Sequence, residues 1–138
     1  MTVQSKPDAE VVQLCSELIR IDTSNYGPEG STGERLAAEY VAEKLAEVGI
    51  DSQLYEAEST RTNLVAHWQP EGSDASLAPL LIHGHLDVVP AQASDWQVDP
   101  FAGEIQQGCV WGRGAVDMKD FDGMLLSVKS TSPFAATC

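Results

Sequence analysis

Three side chains near the end of an apolar run have the types and spacing of metal ligands. Residues 80–90, LLIHGHLDVVP, hold His83, His85 and Asp87 at alternate positions. Residues two apart on an extended strand face the same way, so these side chains would line one side of the run. Imidazole nitrogens and carboxylate oxygens are common ligands of divalent metals. The spacing therefore indicates a metal site where the run ends.

Three interpretations of this alignment stay open. In the favoured one, His85 binds a divalent metal through one ring nitrogen, while Asp87 accepts a hydrogen bond from the other and raises the basicity of the ligand. In the second, His83 and His85 bind one metal, as in the His-x-His-x-Asp-His signature of metallo-β-lactamase-like hydrolases, although Val88 stands in place of the last histidine. In the third, a histidine at a strand end is an ordinary hydrogen-bonded residue.

A second segment, residues 111–120 with the sequence WGRGAVDMKD, places Asp117 in a turn just before a helix. An aspartate there is commonly an N-cap that accepts hydrogen bonds from free backbone amides. Gly112 and Gly114 permit unusual backbone angles and a close approach to another segment, which favours a ligand role instead. The two carboxylate oxygens would also allow Asp117 to bridge two metal ions.

The charged residues around Asp117 receive no ligand role. Arg113 has the chemistry to pair with a carboxylate, but a structural ion pair explains it equally well. Lys119, Asp120 and Asp122 are interpreted as a charged first helical turn, in which the two aspartates complement the helix dipole.

Hydrophobic periodicity predicts two helices before residues 80–90. An apolar stripe at three- and four-residue spacing predicts a helix over residues 8–20. Ser31 and Glu34 have the spacing of a capping box and predict the start of a second helix. That helix should end near Val48, with Gly49 as its left-handed cap.

The remaining elements are strands and one further helix, which together indicate an α/β fold with a helix-flanked sheet. The apolar run 79–82 is typical of a central strand buried on both faces. The predicted short strands are residues 53–55 and 63–68, the hairpin is residues 104–111 around Gly108, and the last helix is residues 120–128.

Composition bounds the partners and the compartment. With 138 residues we expect one domain, and the net charge of −13 argues against nucleic acid and anionic membranes as partners because both repel an acidic surface. Three cysteines without a CxxC pair predict neither a disulfide framework nor a thiolate zinc site, so a reducing, cytoplasmic location is expected. The N-terminus lacks the apolar core of a signal peptide.

The two segments together resemble the first two signature motifs of one zinc metallopeptidase family. That family includes aminoacylases, acetylornithine deacetylase, succinyl-diaminopimelate desuccinylase and glutamate carboxypeptidases. The resemblance extends from the first helix to about Leu126, and Trp96, residues 99–101 and Gly103 between the motifs belong to it. It implies a mixed β-sheet of the zinc-exopeptidase type. Residues 1–126 would form the N-terminal part of the catalytic domain, which would be incomplete, and residues 127–138 an aberrant or truncated tail, with the lid or dimerisation domain absent.

The resemblance also assigns roles to individual residues. It implies that His85 is the ligand of one metal, that Asp117 is the carboxylate bridging two metals, and that Asp87 orients His85 and acts as the catalytic aspartate. The bond between Asp117 and Met118 matches a position that is often a cis peptide in the family. The implied cofactors are two Zn²⁺ ions, or Co²⁺ in their place.

The implied activity is hydrolysis of an amide bond next to a free carboxylate, in a small peptide or an N-acyl amino acid, by a water that the metals activate. Full-length relatives are expected to be homodimers. The family's glutamates and its late histidine have no counterpart, since after Asp117 the only acids are Asp120 and Asp122. The chain alone is therefore expected to be inactive. A non-catalytic binding or subunit-interaction module that keeps the fold is the alternative.

Overall fold

The computed structural model describes residues 6–28, 30–70 and 72–130. Its order along the chain is helix, helix, hairpin, long irregular segment, hairpin, helix. The elements are α1 (Lys6–Ile19), α2 (Arg35–Glu47), β1 (Ser52–Glu58), β2 (Arg61–Ala66), a 3-10 turn (Ala93–Asp95), β3 (Glu104–Gln106), β4 (Cys109–Trp111) and α3 (Lys119–Ser130). All three predicted helices and both predicted pairs of short strands are present.

Helices α1 and α3 pack closely against each other. Gly123 makes this possible, because a Cβ atom at that position would lie only 3.2 Å from the backbone nitrogen of Cys15 and 3.3 Å from the carbonyl oxygen of Val11. The core beside them contains four buried residues from three regions of the chain, which are Leu14, Leu45, Ile50 and Leu126. The apolar stripes of the helices therefore meet in one core.

The predicted capping box at the start of α2 is wrong. Glu34 is the N-cap residue, but its side chain makes no capping hydrogen bond and lies 3.0 Å from Arg61 instead. The carbonyl oxygen of Thr60 caps the helix instead, because it accepts hydrogen bonds from the backbone nitrogens of Glu34 (2.9 Å) and Arg35 (3.1 Å). A distant turn thus satisfies the amides that a local side chain was expected to satisfy.

The predicted end of α2 is confirmed. Gly49 has a φ of 74°, and its backbone nitrogen donates to the carbonyl oxygen of Ala46 over 3.0 Å. The nitrogen of Ile50 donates to Leu45 over 2.9 Å, and both of these side chains are buried in the core. This is the Schellman arrangement with its accompanying hydrophobic contact.

The strands form two separate antiparallel hairpins. In the first, Leu54 of β1 lies opposite Leu64 of β2. In the second, β3 and β4 are joined by Gln107 (φ 54°) and Gly108 (φ 78°), two positive angles that suit a tight two-residue turn. Among the described residues each sheet has only these two strands, so the expected helix-flanked mixed sheet is wrong while the α/β composition is confirmed.

The prediction of a buried central strand over residues 79–82 is also wrong. No strand is assigned there, and the side chains of Leu80, Leu81 and Ile82 are 84%, 85% and 52% exposed. A strand requires a neighbour to accept and donate its backbone hydrogen bonds, and no described strand lies beside this run. Apolar composition alone therefore does not bury it. Residues 131–138, in the predicted tail, lie outside the described part of the chain.

Across residues 6–28, 30–70 and 72–130, no helix combines the length and apolar character that a membrane crossing requires.

Candidate metal centre

The segment that carries His85 is held against the loop after α1. The backbone nitrogen of Val88 donates to the carbonyl oxygen of Thr23 over 3.1 Å, and the nitrogen of Asn25 donates back to Val88 over 2.9 Å. The Thr23 hydroxyl adds a 2.6 Å hydrogen bond to the carbonyl oxygen of Leu86. These bonds fix the backbone on the C-terminal side of His85, in place of the sheet that the sequence predicted.

Asp87 orients the imidazole of His85. The Nδ1 atom of His85 lies 3.2 Å from Oδ1 of Asp87 and 3.0 Å from the carbonyl oxygen of Asp87. The other carboxylate oxygen, Oδ2, accepts a 2.8 Å hydrogen bond from the side-chain nitrogen of Asn25. Asn25 is a site residue that sequence reasoning missed, because it lies in a polar loop 62 residues away from Asp87.

Asp117 reaches the opposite nitrogen of the same ring. Its Oδ1 atom lies 2.9 Å from Nε2 of His85, so two residues 32 positions apart converge on one point. The peptide bond between Asp117 and Met118 is cis, as the resemblance implied. His83, by contrast, is exposed and does not line the pocket that surrounds His85, Asp87 and Asp117. The geometry thus unites His85, Asp87 and Asp117 and leaves His83 apart.

The glycines of the second segment allow the turn to pack tightly. A Cβ atom on Gly112 would lie 2.4 Å from Cγ2 of Ile19 in α1. Gly114 has a φ of 84°, and a Cβ atom there would lie 2.8 Å from Cγ1 of Val88. Both close approaches exclude a larger side chain. The turn that carries Asp117 is therefore fixed against α1 and against the segment that carries His85.

Lys119 lies in the charged first helical turn that the sequence predicted, but it is not a surface residue. Its side chain is fully buried, and its Nζ atom donates to the carbonyl oxygens of Leu18 (2.9 Å) in the last turn of α1 and of Ile21 (2.8 Å) just after α1. Burial lowers the pKa of Lys119 to about 8, with partial compensation from Asp22 and Asp122. Sequence gives no signal for this placement, since lysines at helix starts are usually solvated.

The pKa of His85 is raised by its surroundings. Burial alone would lower the pKa of His85, but hydrogen bonds to the Asp87 backbone and to the Asp117 carboxylate outweigh it and raise the pKa. A neutral imidazole carries one N–H, so it cannot donate to acceptors on both sides. Either a second proton or a cation at Nε2 resolves this mismatch.

The three residues line an open pocket of about 300 Å³. Its other walls come from Val88, Val89 and the glycine-flanked turn over residues 112–116. Arg113 in that turn places its guanidinium group 5.2 Å from the centre of the Trp96 ring, and its backbone nitrogen donates to Pro100 over 2.7 Å. The ring contact and the backbone bond show Arg113 contributing to the packing of the turn.

The side chains present fit one part of a zinc site. An imidazole nitrogen and a carboxylate oxygen facing each other at 2.9 Å, with the second ring nitrogen held by Asp87, are the donor types and the orienting contact that zinc sites use. A zinc ion takes three or four protein ligands, however. Within residues 6–28, 30–70 and 72–130, no group of three His, Cys, Asp or Glu side chains is arranged to hold a metal.

Comparison with known proteins points to one family. The model of peptidase family M20/M25/M40 matches residues 81–129, a range that contains His85, Asp87 and Asp117. The chain is 32% identical over 118 residues to the N-fatty-acyl-amino acid synthase/hydrolase PM20D1 of Xenopus tropicalis, which covers 83% of the chain and 22% of the relative.

Bacterial relatives give the same result. The succinyl-diaminopimelate desuccinylase of Methylocella silvestris is 38% identical over 113 residues, covering 78% of the chain and 26% of the relative. A probable succinyl-diaminopimelate desuccinylase of Staphylococcus epidermidis is 36% identical over 120 residues, covering 86% and 26%. The chain therefore spans about a quarter of the length of these relatives.

Proposed function

Since this chain belongs to peptidase family M20/M25/M40, we propose that it provides one part of the site of a metal-dependent hydrolase. His85 and Asp117 are the metal ligands, and Asp87 is the catalytic aspartate that orients His85. The observation that carries the proposal is the convergence of Nε2 of His85 and Oδ1 of Asp117 at 2.9 Å, with Nδ1 held by Asp87.

Nε2 of His85 would hold the cation in place of a proton. The imidazole then keeps its one N–H on Nδ1, where Asp87 accepts it, and this fixes the tautomer that a metal ligand needs. Zn²⁺ suits the nitrogen and oxygen donors, and Co²⁺ accepts the same set. The Asp117 side chain is 82% exposed, which leaves a carboxylate oxygen accessible to a second cation.

The proposed reaction is hydrolysis of an amide bond next to a free carboxylate. Its support is the chemistry that the names of the relatives state, since N-fatty-acyl amino acids and succinyl-diaminopimelate are both amino acids acylated on nitrogen. The metal supplies an activated water and polarises the amide carbonyl. His85 and Asp117 hold the cation, Asp87 keeps the ring in its binding orientation, and the open pocket admits a small substrate.

Further ligands have to complete the site before this reaction is possible. The described residues supply His85 and Asp117, which is short of the three that a catalytic zinc ion requires. We therefore expect the 138-residue chain alone to bind a divalent cation weakly and to have little or no hydrolytic activity.

The ligand shortfall also favours a second candidate function, that of a non-catalytic binding or subunit-interaction module. The exposed apolar run of Leu80, Leu81 and Ile82 supports it, because such a run favours association with another polypeptide. In this alternative His85 and Asp117 form an ion pair and need no metal.

Zinc binding by the purified chain distinguishes the two functions. Equilibrium dialysis followed by atomic spectroscopy should show zinc bound to the wild-type chain and lost in His85→Ala and Asp117→Asn. His83→Ala is the matched control, because His83 is exposed and does not line the pocket. Equal zinc content in all four proteins would contradict the proposed site. Efficient zinc-dependent cleavage of N-acyl amino acids by the chain alone would contradict the proposed inactivity.

A further inference from the structure

Asp122 is a buried carboxylate, and one of its two oxygens has no hydrogen-bond partner among the described residues. It lies in the first turn of α3 and is 7% exposed, and no described residue forms a hydrogen bond with its Oδ2 atom. Burial raises its pKa to about 6, so the group is still mostly ionised at neutral pH. A buried ionised carboxylate with one oxygen left without a hydrogen-bond partner is costly to a folded protein. Such a group is expected where function requires it.

Asp122 contacts the two backbone segments that carry the proposed metal ligands. Its Oδ1 atom lies 2.3 Å from the place where a Cβ atom on Gly84 would be, so the carboxylate packs directly against the residue before His85. Its backbone nitrogen donates a 3.0 Å hydrogen bond to the carbonyl oxygen of Met118, the residue after Asp117. The bond to Met118 is an ordinary bond of the first helical turn, so the packing of the carboxylate against Gly84 is the contact that links Asp122 to the His85 segment.

The charge of Asp122 acts on the same place. His85 is the first electrostatic partner that stabilises its ionised form, and Lys119 is the second. The hydrogen bonds of the Lys119 ammonium group go to the carbonyl oxygens of Leu18 and Ile21. Because the Asp122 carboxylate packs against Gly84, the residue before His85, its negative charge lies close enough to act on a cation held at that ring.

We propose that Asp122 is a positioning residue of the His85–Asp117 centre, whose buried carboxylate holds the His85 segment in place and favours a cation there at a cost in folding stability. This inference rests on the proposed function, because it needs a cation at that centre.

A merely structural role and a positioning role make opposite predictions for Asp122→Asn, which keeps the shape of the side chain and removes its charge. If Asp122 only supported the fold, the substitution would lower the thermal midpoint and leave cation affinity unchanged. If Asp122 positions the site and favours a cation there, the substitution raises the thermal midpoint of the metal-free chain and weakens cation binding. Stability and binding then move in opposite directions.

The experiment uses the full chain and Co²⁺ alone as the probe. Paramagnetic broadening of the His85 imidazole resonances reports binding, and the exposed His67 is the internal reference. We expect about tenfold weaker Co²⁺ binding for Asp122→Asn, from loss of a nearby charge. Asp51→Asn is the matched control because it removes the same charge from an exposed position. Asp122→Ser is the second variant, in case the asparagine does not fit.

Each outcome has a defined meaning. Weaker Co²⁺ binding with an unchanged or higher thermal midpoint, in either Asp122 variant but not in Asp51→Asn, supports the role. Unchanged Co²⁺ binding in the Asp122 variants overturns it and leaves the proposed function standing. Failure of both variants to fold identifies Asp122 as structural and also overturns it. Absence of broadening at His85 in the wild-type chain overturns the proposed function, and the role of Asp122 with it.

Discussion

The ammonium group of Lys119 donates a 2.9 Å hydrogen bond to the carbonyl oxygen of Leu18, across 101 residues of sequence. A second bond of 2.8 Å goes to Ile21. The last carbonyls of a helix lack partners within the helix and carry its partial negative charge, so a buried cation is well placed there. Lys119 follows Asp117 by two positions, and its anchoring therefore also fixes the turn that carries Asp117.

Loss of the Lys119 side chain should destabilise the fold strongly. Lys119→Ala removes the lysine hydrogen bond from both carbonyls, leaves Leu18 with only the 3.1 Å bond from the backbone nitrogen of Ile21, and opens a cavity beside Gly114. We therefore expect a loss of about 3 kcal/mol in the free energy of unfolding. Lys119→Met keeps the volume and should lose less, about 1–2 kcal/mol. Urea unfolding followed by circular dichroism measures both. A Lys119→Met variant as stable as wild type would show that the two hydrogen bonds contribute nothing net.

The effect of Asp122→Asn on stability should depend on pH. The folded-state pKa of Asp122 is raised from 3.8 to about 6 by burial and by Asp120. The penalty for its ionised form is therefore fully present above pH 6 and is relieved as the pH falls towards 4. The variant should be more stable than wild type by roughly 2–3 kcal/mol at pH 7, at about 1.4 kcal/mol per pKa unit, and should lose that advantage near pH 4. Chemical unfolding at both pH values measures this difference, and a constant difference would contradict the assignment.

Local patterns were sufficient to predict the helices and the hairpins. The Schellman end of α2 and the turn at Gln107 and Gly108 depend on a few adjacent residues, so their sequence signals are reliable. The start of α2 is different, because Thr60 caps it from a turn that only the folded chain brings close. A helix start that is capped by a tertiary contact cannot be predicted from the spacing of neighbouring residues.

The site was predictable to the same extent. His85, Asp87 and Asp117 were identified from their types, their spacing and a family resemblance, and they do converge. Asn25 and Lys119 were not, because their contacts join segments 62 to 101 residues apart. The prediction of a strand over residues 79–82 is wrong for a physical reason. A strand is stable only beside another strand, and the apolar composition of the run does not supply that neighbouring strand.

The two described cysteines should differ sharply in reactivity. Cys15 is 4% exposed and burial raises its pKa from 9.0 to about 11, which cuts the thiolate fraction at pH 8 by about 100-fold. Cys109 is exposed at the start of β4. In a Cys138→Ser background, Ellman's reagent should modify one thiol quickly, and mass spectrometry of peptides should locate it at Cys109. Rapid modification of Cys15 in the native chain would contradict its burial; urea should make both thiols react.

The exposed apolar run should make the chain associate with itself. Leu80 and Leu81 are 84% and 85% exposed, and Leu77 nearby is 70% exposed. An extended apolar segment with unpaired backbone groups is a template for pairing with another chain, and lysine on such a segment opposes that pairing. We expect Leu81→Lys to shift the chain from oligomers towards monomer in size-exclusion chromatography with light scattering. Val116→Lys is the matched control, because Val116 is also 84% exposed but lies beside the candidate metal centre and not in the apolar run. A wild-type chain that is monomeric at high micromolar concentration would show that exposure of this run does not drive association.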